Sequence, residues 1–419
     1  MNKLAYTIIA LFTLCITSCS DEKNIFDSSS ANRMNAMLQQ CKEILTGSEN
    51  GWIFEYYPED NKYGGFRFYM VFSKQGEVSI TAESPILESP GDQATSMYQI
   101  KGDMGPILSF DTYNHILHQF SDPNPDGLGY EGDYEFIILN VAKDKIELKG
   151  KKNGTKMQMI PLPNDMTWES YSSKLDKMIE AFPGFTMRLN VNGTTIEMEE
   201  SEEIGRYQTF NLPEGVSSSA EGMAYIYTTD GIKFKEPITI AGKTIQNFTA
   251  SEDKTHLTCT DEGADNVQIT QMPLGEAFVT KKGNWFFDTK QMGPRFTTMW
   301  NTAAENMKKD LYGQGPEELQ QASLQSPYQV FTIYSYSIND RKLYSAIKDA
   351  DQVKIIFAGG GDDFARYFYM EYFKMILGYM NDDEPYNMTY NNLKSPSEIT
   401  FRRNDNPDVV WFKTIRYIK

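Results

Sequence analysis

Apolar residues recur at helical spacing in three stretches of the chain. The first runs from about residue 31 to 45 and places Met34, Cys41 and Leu45 on one face. Such a stripe is expected for a helix that packs against a sheet. Similar patterns cover residues 166–181 and 296–311. The sequence therefore predicts an N-terminal helix and two connecting helices.

Elsewhere the apolar residues alternate with polar ones, or form short runs rich in aromatic and β-branched side chains. Residues 52–57 and 66–72 are two such runs, and both are typical of strands. Asn153-Gly154 readily supplies the positive φ angles of a two-residue hairpin. Strands joined by tight turns form an antiparallel meander, which loses its exposed edges if it closes into a barrel. The predicted fold is mainly β, with antiparallel, barrel-like modules of the lipocalin type.

The chain begins with the pattern of a secretion signal. A basic Lys3 precedes a short apolar stretch that ends at Ile16, and this stretch is too short to span a bilayer. The residues up to Cys19 then resemble a bacterial lipobox, in which the cysteine is acylated and becomes the new N-terminus. The sequence thus predicts a signal peptide over residues 1–18 and a lipid on Cys19.

The residues after Cys19 predict where the lipoprotein goes. Ser20, Asp21 and Glu22 resemble the serine-plus-acidic export signal that sends Bacteroidota lipoproteins to the outer face of the outer membrane. An ordinary acidic tether is the alternative interpretation. Residues 19–30 are too polar to bury themselves, so we expect a lipidated, flexible tether there. The predicted location is the outer membrane, lipid-anchored and facing the cell exterior.

The rest of the chain is long enough for two or three domains. The patterns place a helix and β-meander domain at residues 31–163 and a second β-rich domain at 164–419, with a further division near residue 284 left open. Cys41 and Cys259 could pair in an oxidising compartment. The position of Cys41 on an apolar helix face favours two buried thiols instead.

Charge and motifs exclude several classes of function. With 57 acidic and 40 basic residues the net charge is −17, and such a surface repels nucleic acid and anionic lipid headgroups. No zinc-protease, serine-hydrolase, Walker or C-x-x-C motif is present in the sequence. His115 and His118 would suit a metal if they lie on a helix, but would face opposite ways on a strand. We therefore predict no catalytic residues.

One loop has the spacing of a calcium site. Asp122, Asn124, Asp126 and Asp133 occupy loop positions one, three, five and twelve, and Gly127 stands where a calcium loop turns sharply. An ordinary proline-and-glycine loop between strands explains the same residues. Calcium is therefore the one cofactor that the sequence suggests, with the plainer alternative left open.

Aromatic residues are a second candidate surface, because sugar rings stack on exposed aromatic faces. They make up 13% of the chain, although aromatic residues also build β cores. Adjacent strand residues point opposite ways. Tyr56-Tyr57 and Trp285-Phe286-Phe287 must therefore each place a ring off the core side, unless both faces of the sheet are covered. An exposed aromatic platform is thus predicted without a location.

Several motifs along the chain resemble those of a group of Bacteroidota surface lipoproteins classed as a domain of unknown function. The resemblance begins with the lipobox and a helix ending in Gly51-Trp52. It continues in the motifs Tyr63-Gly64-Gly65-Phe66, Gly132-Asp133-Tyr134-Glu135-Phe136 and Leu148-Lys149-Gly150-Lys151-Lys152. The resemblance is clearest over residues 27–163 and thinner over 185–280. Members commonly occur beside SusC-like and SusD-like importers, so it implies an accessory uptake role with those proteins as partners.

The leading hypothesis is a non-catalytic, lipid-anchored binding or accessory protein of a nutrient uptake system, with glycans as the suggested ligand. A structural or adhesive surface protein that binds another protein is the alternative, and a hydrolase is a lesser one. A broad aromatic cleft would favour the first hypothesis, and a large flat apolar patch would favour the second.

Overall fold

The computed structural model describes residues 29–416, with gaps at 60–61, 88, 90, 124–125, 202–205, 274–275, 278–282, 311–318, 327–329, 336–337, 347–351, 355, 358–371, 373, 381–383 and 392–397. Its α-helices are α1 Ser30–Gly47, α2 His115–His118, α3 Trp168–Ala181, α4 Pro294–Asp310 and α5 Lys374–Met380. The 26 strands of the described residues form three antiparallel sheets. The predicted fold class is confirmed: the protein is mainly β, with barrel-like sheets and a few helices.

The first sheet follows α1 and curls into a barrel-like shape. Its strands are β1 Trp52–Tyr56, β2 Phe66–Phe72, β3 Glu77–Ala82, β4 Ala94–Met97, β5 Gln99–Gly102, β6 Pro106–Ser109, β7 Glu135–Val141, β8 Ile146–Gly150 and β9 Lys156–Pro161. The first strand pairs with the last, Trp52 lying opposite Pro161. The two ends of the sheet are β4 and β5, and only Tyr98 separates them along the chain. The sheet therefore encloses one aromatic core.

The second sheet is a closed eight-stranded barrel. Its strands are β10 Met187–Val191, β11 Thr194–Glu200, β12 Tyr207–Asn211, β13 Gly222–Tyr227, β14 Gly231–Ile240, β15 Lys243–Ala250, β16 His256–Cys259 and β17 Val267–Gln271. Helix α3 supplies Tyr171, Leu175 and Ile179 to the core of this barrel. Thr167 caps the start of α3 by accepting a hydrogen bond from the Ser170 amide.

The third sheet repeats the same plan. Its strands are β18 Gly283–Met292, β19 Leu319–Ser326, β20 Val330–Ser335, β21 Ile338–Ala346, β22 Gln352–Val353, β23 Ile356–Phe357, β24 Tyr386–Tyr390, β25 Glu398–Arg403 and β26 Trp411–Arg416. Again the first strand pairs with the last, and the two sheet ends, β22 and β23, lie close together along the chain. The three sheets occupy residues 52–161, 187–271 and 283–416 in turn, and the predicted domain boundaries at residues 163 and 284 stay predictions.

The hairpin between β8 and β9 differs from its predicted form. The sequence predicts a two-residue turn at Asn153-Gly154, but five residues, 151–155, separate the strands. Gly154 does have a positive φ of 77°. The turn is longer because its Lys152 and Asn153 amides donate to the carboxylate of Asp133, a contact from outside the hairpin.

Both remaining cysteines are free and buried. Cys41 belongs to the core of the first sheet and Cys259 to the core of the second. Burial raises the pKa of each thiol to about 11, so both stay protonated at neutral pH. Within the described residues, no helix is both long and apolar enough to cross a membrane.

The first two sheets pack directly against each other. Ile53 on β1 belongs to the core cluster of the barrel, whereas Ala224 and Ile226 on β13 belong to the core cluster of the first sheet. All five residues of β1 are buried, because the outer face of this strand is covered by the barrel. We call this contact region the junction.

Candidate functional site between the first two sheets

A pair of glycines lets the two sheets approach closely. Gly64 has a φ of 76°, and a side chain at either glycine would collide with the barrel, at Arg206 or at Ile226. The amide of Gly65 donates to the carbonyl of Tyr225 at 3.2 Å. The Tyr63-Gly64-Gly65-Phe66 motif is therefore a docking point for the barrel, since only glycine leaves room for this backbone contact.

A buried ion pair lies next to these glycines. The guanidinium of Arg206 binds Glu83 through both terminal nitrogens, with Nη2 2.8 Å from Oε2, and both side chains are 1% exposed. Arg206 Nη1 also donates to the carbonyl of Gly65 at 2.7 Å. Separating the two partners would leave a buried charge without a counter-ion, which is energetically costly. Such pairs therefore fix the positions of the elements that carry them.

Glu55 on β1 is the centre of a second charged group. One carboxylate oxygen accepts a hydrogen bond from Arg67 at 2.8 Å, and the other accepts from Gln158 at 2.6 Å and from Lys233 of the barrel at 3.1 Å. Burial by itself would raise the pKa of Glu55, but Arg67 and Lys233 hold it below its ordinary value. Glu55 is therefore an anion that joins the two sheets.

A cleft of about 350 Å³ opens beside Glu55 at the edge of the junction. Its lining comes from both sheets and combines polar with apolar side chains: Glu55, Tyr57, Leu139, Glu147, Leu148, Lys156, Met157, Gln158, Lys233, Lys235, Glu236 and Gln246. Clefts between structural units that combine apolar walls with convergent polar groups are common places for ligand binding.

Lys235 gives this cleft a group whose charge changes near physiological pH. It shares a face of β14 with Lys233, and its ammonium lies 5.2 Å from the centre of the Tyr57 ring. Burial lowers the pKa of Lys235 to about 8, although Glu236 acts in the opposite direction. Strongly shifted groups in clefts are candidates for functional residues. At neutral pH Lys235 could donate hydrogen bonds to a polar or anionic ligand.

The predicted lipidation and export residues, Cys19, Ser20, Asp21 and Glu22, lie outside the residues that the structure describes. The lipid anchor and the export signal therefore stay predictions.

Three of the four predicted calcium ligands, Asp122, Asp126 and Asp133, lie within the described residues, and the calcium site stays a prediction. Asp133 is 4% exposed, and its two carboxylate oxygens accept the Lys152 and Asn153 amides. The side chain of Asp122 accepts a hydrogen bond from the Tyr113 hydroxyl at 2.7 Å, and Asp126 is exposed. Asn124 falls in a gap of the described residues.

Within the part of the chain that the structure describes, no group of three or more histidine, cysteine, aspartate or glutamate side chains could hold a metal ion. His115 and His118 do lie on a helix, α2, as metal binding would require. However, His115 pairs with Asp92 at 2.9 Å, and Nδ1 of His118 faces the backbone of Asn114.

One of the two aromatic runs singled out in the sequence, Tyr56-Tyr57, provides no exposed ring. Tyr56 and Tyr57 are both buried, because the barrel covers the outer face of β1. The side chains of residues 285–287 lie outside those that the structure describes.

The sequence analysis did not single out the charged residues of the junction. The alternation Lys233-Phe234-Lys235 could have indicated two lysines on one strand face. Nothing in the sequence around Glu83 or Arg206 indicates that they pair, because 123 positions separate them.

A family model described as "Domain of unknown function (DUF4302)" matches residues 22–252 of the chain. This span contains the first sheet, the junction and the barrel as far as β15, whereas the third sheet lies beyond it. A comparison with curated proteins gives no match.

Two solved sliding-clamp structures are similar over most of their length but at very low scores. The β chain of DNA polymerase III from Streptococcus pneumoniae TIGR4 has 11% identity and a TM-score of 0.14, covering 92% of this chain and 98% of its own. The DnaN sliding clamp from Bartonella birtlesii bound to griselimycin has 9% identity and a TM-score of 0.11, covering 93% and 98%. At such scores the likeness carries no argument about fold or function.

Proposed function

The chain belongs to this family of unknown function. From the geometry of its site, we propose that it is a lipid-anchored surface protein that binds a polar nutrient molecule for an uptake system. The ligand occupies the junction cleft. Its partners are SusC-like and SusD-like importers of the Bacteroidota type, as the resemblance to surface lipoproteins implies. The protein acts by holding the ligand near the importer and performs no catalysis.

The junction cleft is the observation that carries this proposal. The two sheets around it are held by buried charges, Glu55 and the Glu83–Arg206 pair, so the walls are already in place before a ligand arrives. A preformed site binds more tightly because less ordering accompanies binding. Lys235 and the amides of Gln158 and Gln246 lie at the cleft, and they offer donors and acceptors to a polar molecule.

Ligand binding is tested with the mature chain purified without its lipid, beginning at Asn24. We expect one or more polar ligands from a panel of oligosaccharides and small charged metabolites to raise its melting temperature. The Lys235→Met variant, which keeps an unbranched side chain over Tyr57, should lose most of that shift. The Lys254→Met variant changes an exposed lysine in a loop and should keep it. A shift that is the same in Lys235→Met and wild type would exclude the cleft as the site.

Surface anchoring is tested separately in the cell. Cys19→Ala should release the protein from the outer membrane fraction or leave it unprocessed, because the lipobox cysteine carries the lipid. Alanine at Ser20, Asp21 and Glu22 should keep the lipid but reduce digestion by added protease. Unchanged acylation and fractionation of Cys19→Ala would refute the lipid anchor. Equal protease digestion of the triple alanine variant and wild type would mean that Ser20, Asp21 and Glu22 are only part of a tether.

A further inference from the structure

A second surface, which shares no residue with the cleft, has the features of a binding site. Tyr113 and Tyr134 are large aromatic residues with 63% and 45% of their surface exposed. The ring of His118 lies between them, with its centre 5.1 Å from each tyrosine ring. The three rings form a short column that ends at the protein surface. We use the name Tyr113 face for this column together with the pocket beside Tyr113.

Hydrogen bonds hold the column in one conformation. The Tyr113 hydroxyl donates to Asp122 at 2.7 Å. The side-chain amide of Asn114, which caps α2, donates to the Ala94 carbonyl and to the Ser96 hydroxyl, each at 3.2 Å. Burial lowers the pKa of His118, so its ring is neutral at physiological pH. A fixed, exposed aromatic ring binds a flat apolar surface with little loss of side-chain freedom.

A pocket of about 260 Å³ adjoins Tyr113. Its polar lining includes Asp92, His115, Gln119 and Asp126, and Leu87 and Leu128 contribute apolar surface. Asp92 and His115 form an exposed pair at 2.9 Å, with 26% and 48% of their side chains accessible. Carboxylate, imidazole and amide groups can hydrogen-bond to hydroxyl groups, and the aromatic ring beside them can contact an apolar C–H face. Together they suit a ring that carries both features.

We infer that the Tyr113 face binds a sugar ring of a neutral glycan, which stacks on Tyr113 and places its hydroxyl groups against Asp92 and His115. Three carboxylates lie at this face, Asp92, Asp122 and Asp126. Because like charges in contact repel, uronic acids and sulfated sugars are excluded as ligands. The inference goes beyond the proposed function, because it assigns a second binding site, with its own ligand class, to a surface distinct from the cleft.

The test measures retention of the mature chain from Asn24 in gels that contain neutral polysaccharides, beside gels that contain uronic-acid or sulfated ones. Wild type should be retarded by at least one neutral polysaccharide and by none of the acidic ones. Tyr113→Ala should weaken binding about tenfold or more, since an aromatic residue at the centre of a contact usually carries much of the affinity. Tyr113→Phe keeps the ring and should stay within about threefold of wild type.

Matched variants separate this face from the cleft and from unfolding. Met104→Ala removes a fully exposed apolar side chain elsewhere and should bind as wild type does. Lys254→Met, at an exposed loop position, should also bind as wild type does, and the comparison of Tyr113→Ala with wild type does not depend on the cleft. Tyr113→Ala should melt at the wild-type temperature because the side chain is mostly exposed. Retention by no neutral polysaccharide, or equal retention of wild type and Tyr113→Ala, would overturn the inference.

Discussion

The junction and the Tyr113 face are built from the same kinds of side chain and differ in burial. At the junction Glu83, Arg206, Glu55 and Arg67 have at most 5% of their side chains exposed. At the Tyr113 face the paired Asp92 and His115 are 26% and 48% exposed. A charge without access to water must be paired within the protein. The junction charges therefore hold the two sheets together, whereas those of the Tyr113 face are open to a ligand.

The aromatic residues show the same contrast. Tyr57 at the junction is 4% exposed and Tyr113 is 63% exposed. Burial raises the pKa of Tyr57 well above its ordinary value, and its ring packs beside Lys235. The Tyr113 hydroxyl contacts Asp122 and its ring lies beside His118, but most of the residue is open to solvent. Accordingly, substitutions at the junction should change stability, while substitutions at the Tyr113 face should change binding and leave stability unaltered.

The largest effect is expected for Arg206→Met, which leaves Glu83 buried without its partner. Breaking a buried ion pair from one side costs about 3–5 kcal/mol of unfolding free energy. Urea unfolding at pH 7 measures this loss, and Lys42→Met, at an exposed position of α1, serves as the control. The double variant Glu83→Leu/Arg206→Met should recover part of the loss, because it removes both charges. A loss below about 1 kcal/mol for Arg206→Met would mean that the pair does not hold the junction.

Lys235→Met should change the free energy of unfolding by less than Arg206→Met does, and should raise it instead of lowering it. The folded pKa of Lys235 is about 8 against 10.5 for a free lysine, so the unfolded chain binds more protons between these values. Stability therefore rises with pH from 8 to 10.5, and at pH 7 the buried ammonium weakens the fold. Removing it should stabilise the protein by about 1–2 kcal/mol at pH 7.

The gain from Lys235→Met should fade as the pH rises from 8 towards 10.5, because folded Lys235 is then neutral and the unfolded chain loses the proton of this lysine too. Unfolding curves at pH 7 and pH 10 compare the two conditions. A gain of equal size at both values would point to better packing by methionine instead of the loss of a charge.

The sequence predicted the sheets well because their information is local. Alternating apolar residues and turn dipeptides act within a few positions, so the barrel-like fold and the helix preceding each of the first two sheets could be inferred. The lysines of β14 were within reach of the same reasoning. The Glu83–Arg206 pair was not, because it depends on how two separate sheets meet. Gly64 and Gly65 were noticed only as part of a motif, although their close contact with Arg206 and Ile226 explains why glycine is needed there.

The loop from Asp122 to Asp133 shows what spacing alone does not reveal. Its oxygen side chains have the positions of a calcium loop, and Asp133 also accepts two amides of the β8–β9 turn. Gly150 lies so close to Asp133 that a side chain there would collide with the carboxylate. Two motifs of the sequence therefore meet at this turn, and their contact is not visible in the spacing of either one. Likewise, nothing in the sequence distinguished the exposed Tyr113 from the buried tyrosines.

The smallest change in melting temperature is expected on adding calcium. Because Asp133 is occupied by the turn, wild type and Asp126→Ala should melt alike in millimolar calcium and in chelator. Asp133→Ala should lower stability by about 1–3 kcal/mol in both conditions, since it removes the acceptor of two partly buried hydrogen bonds from the turn amides. Glu59→Ala, an acid outside the loop, is the control. A calcium concentration about 100 times the Kd would stabilise a calcium-binding loop by roughly 2.7 kcal/mol. A shift of that size, abolished by Asp126→Ala and kept in Glu59→Ala, would show that the loop binds calcium with fewer protein ligands than the sequence suggested.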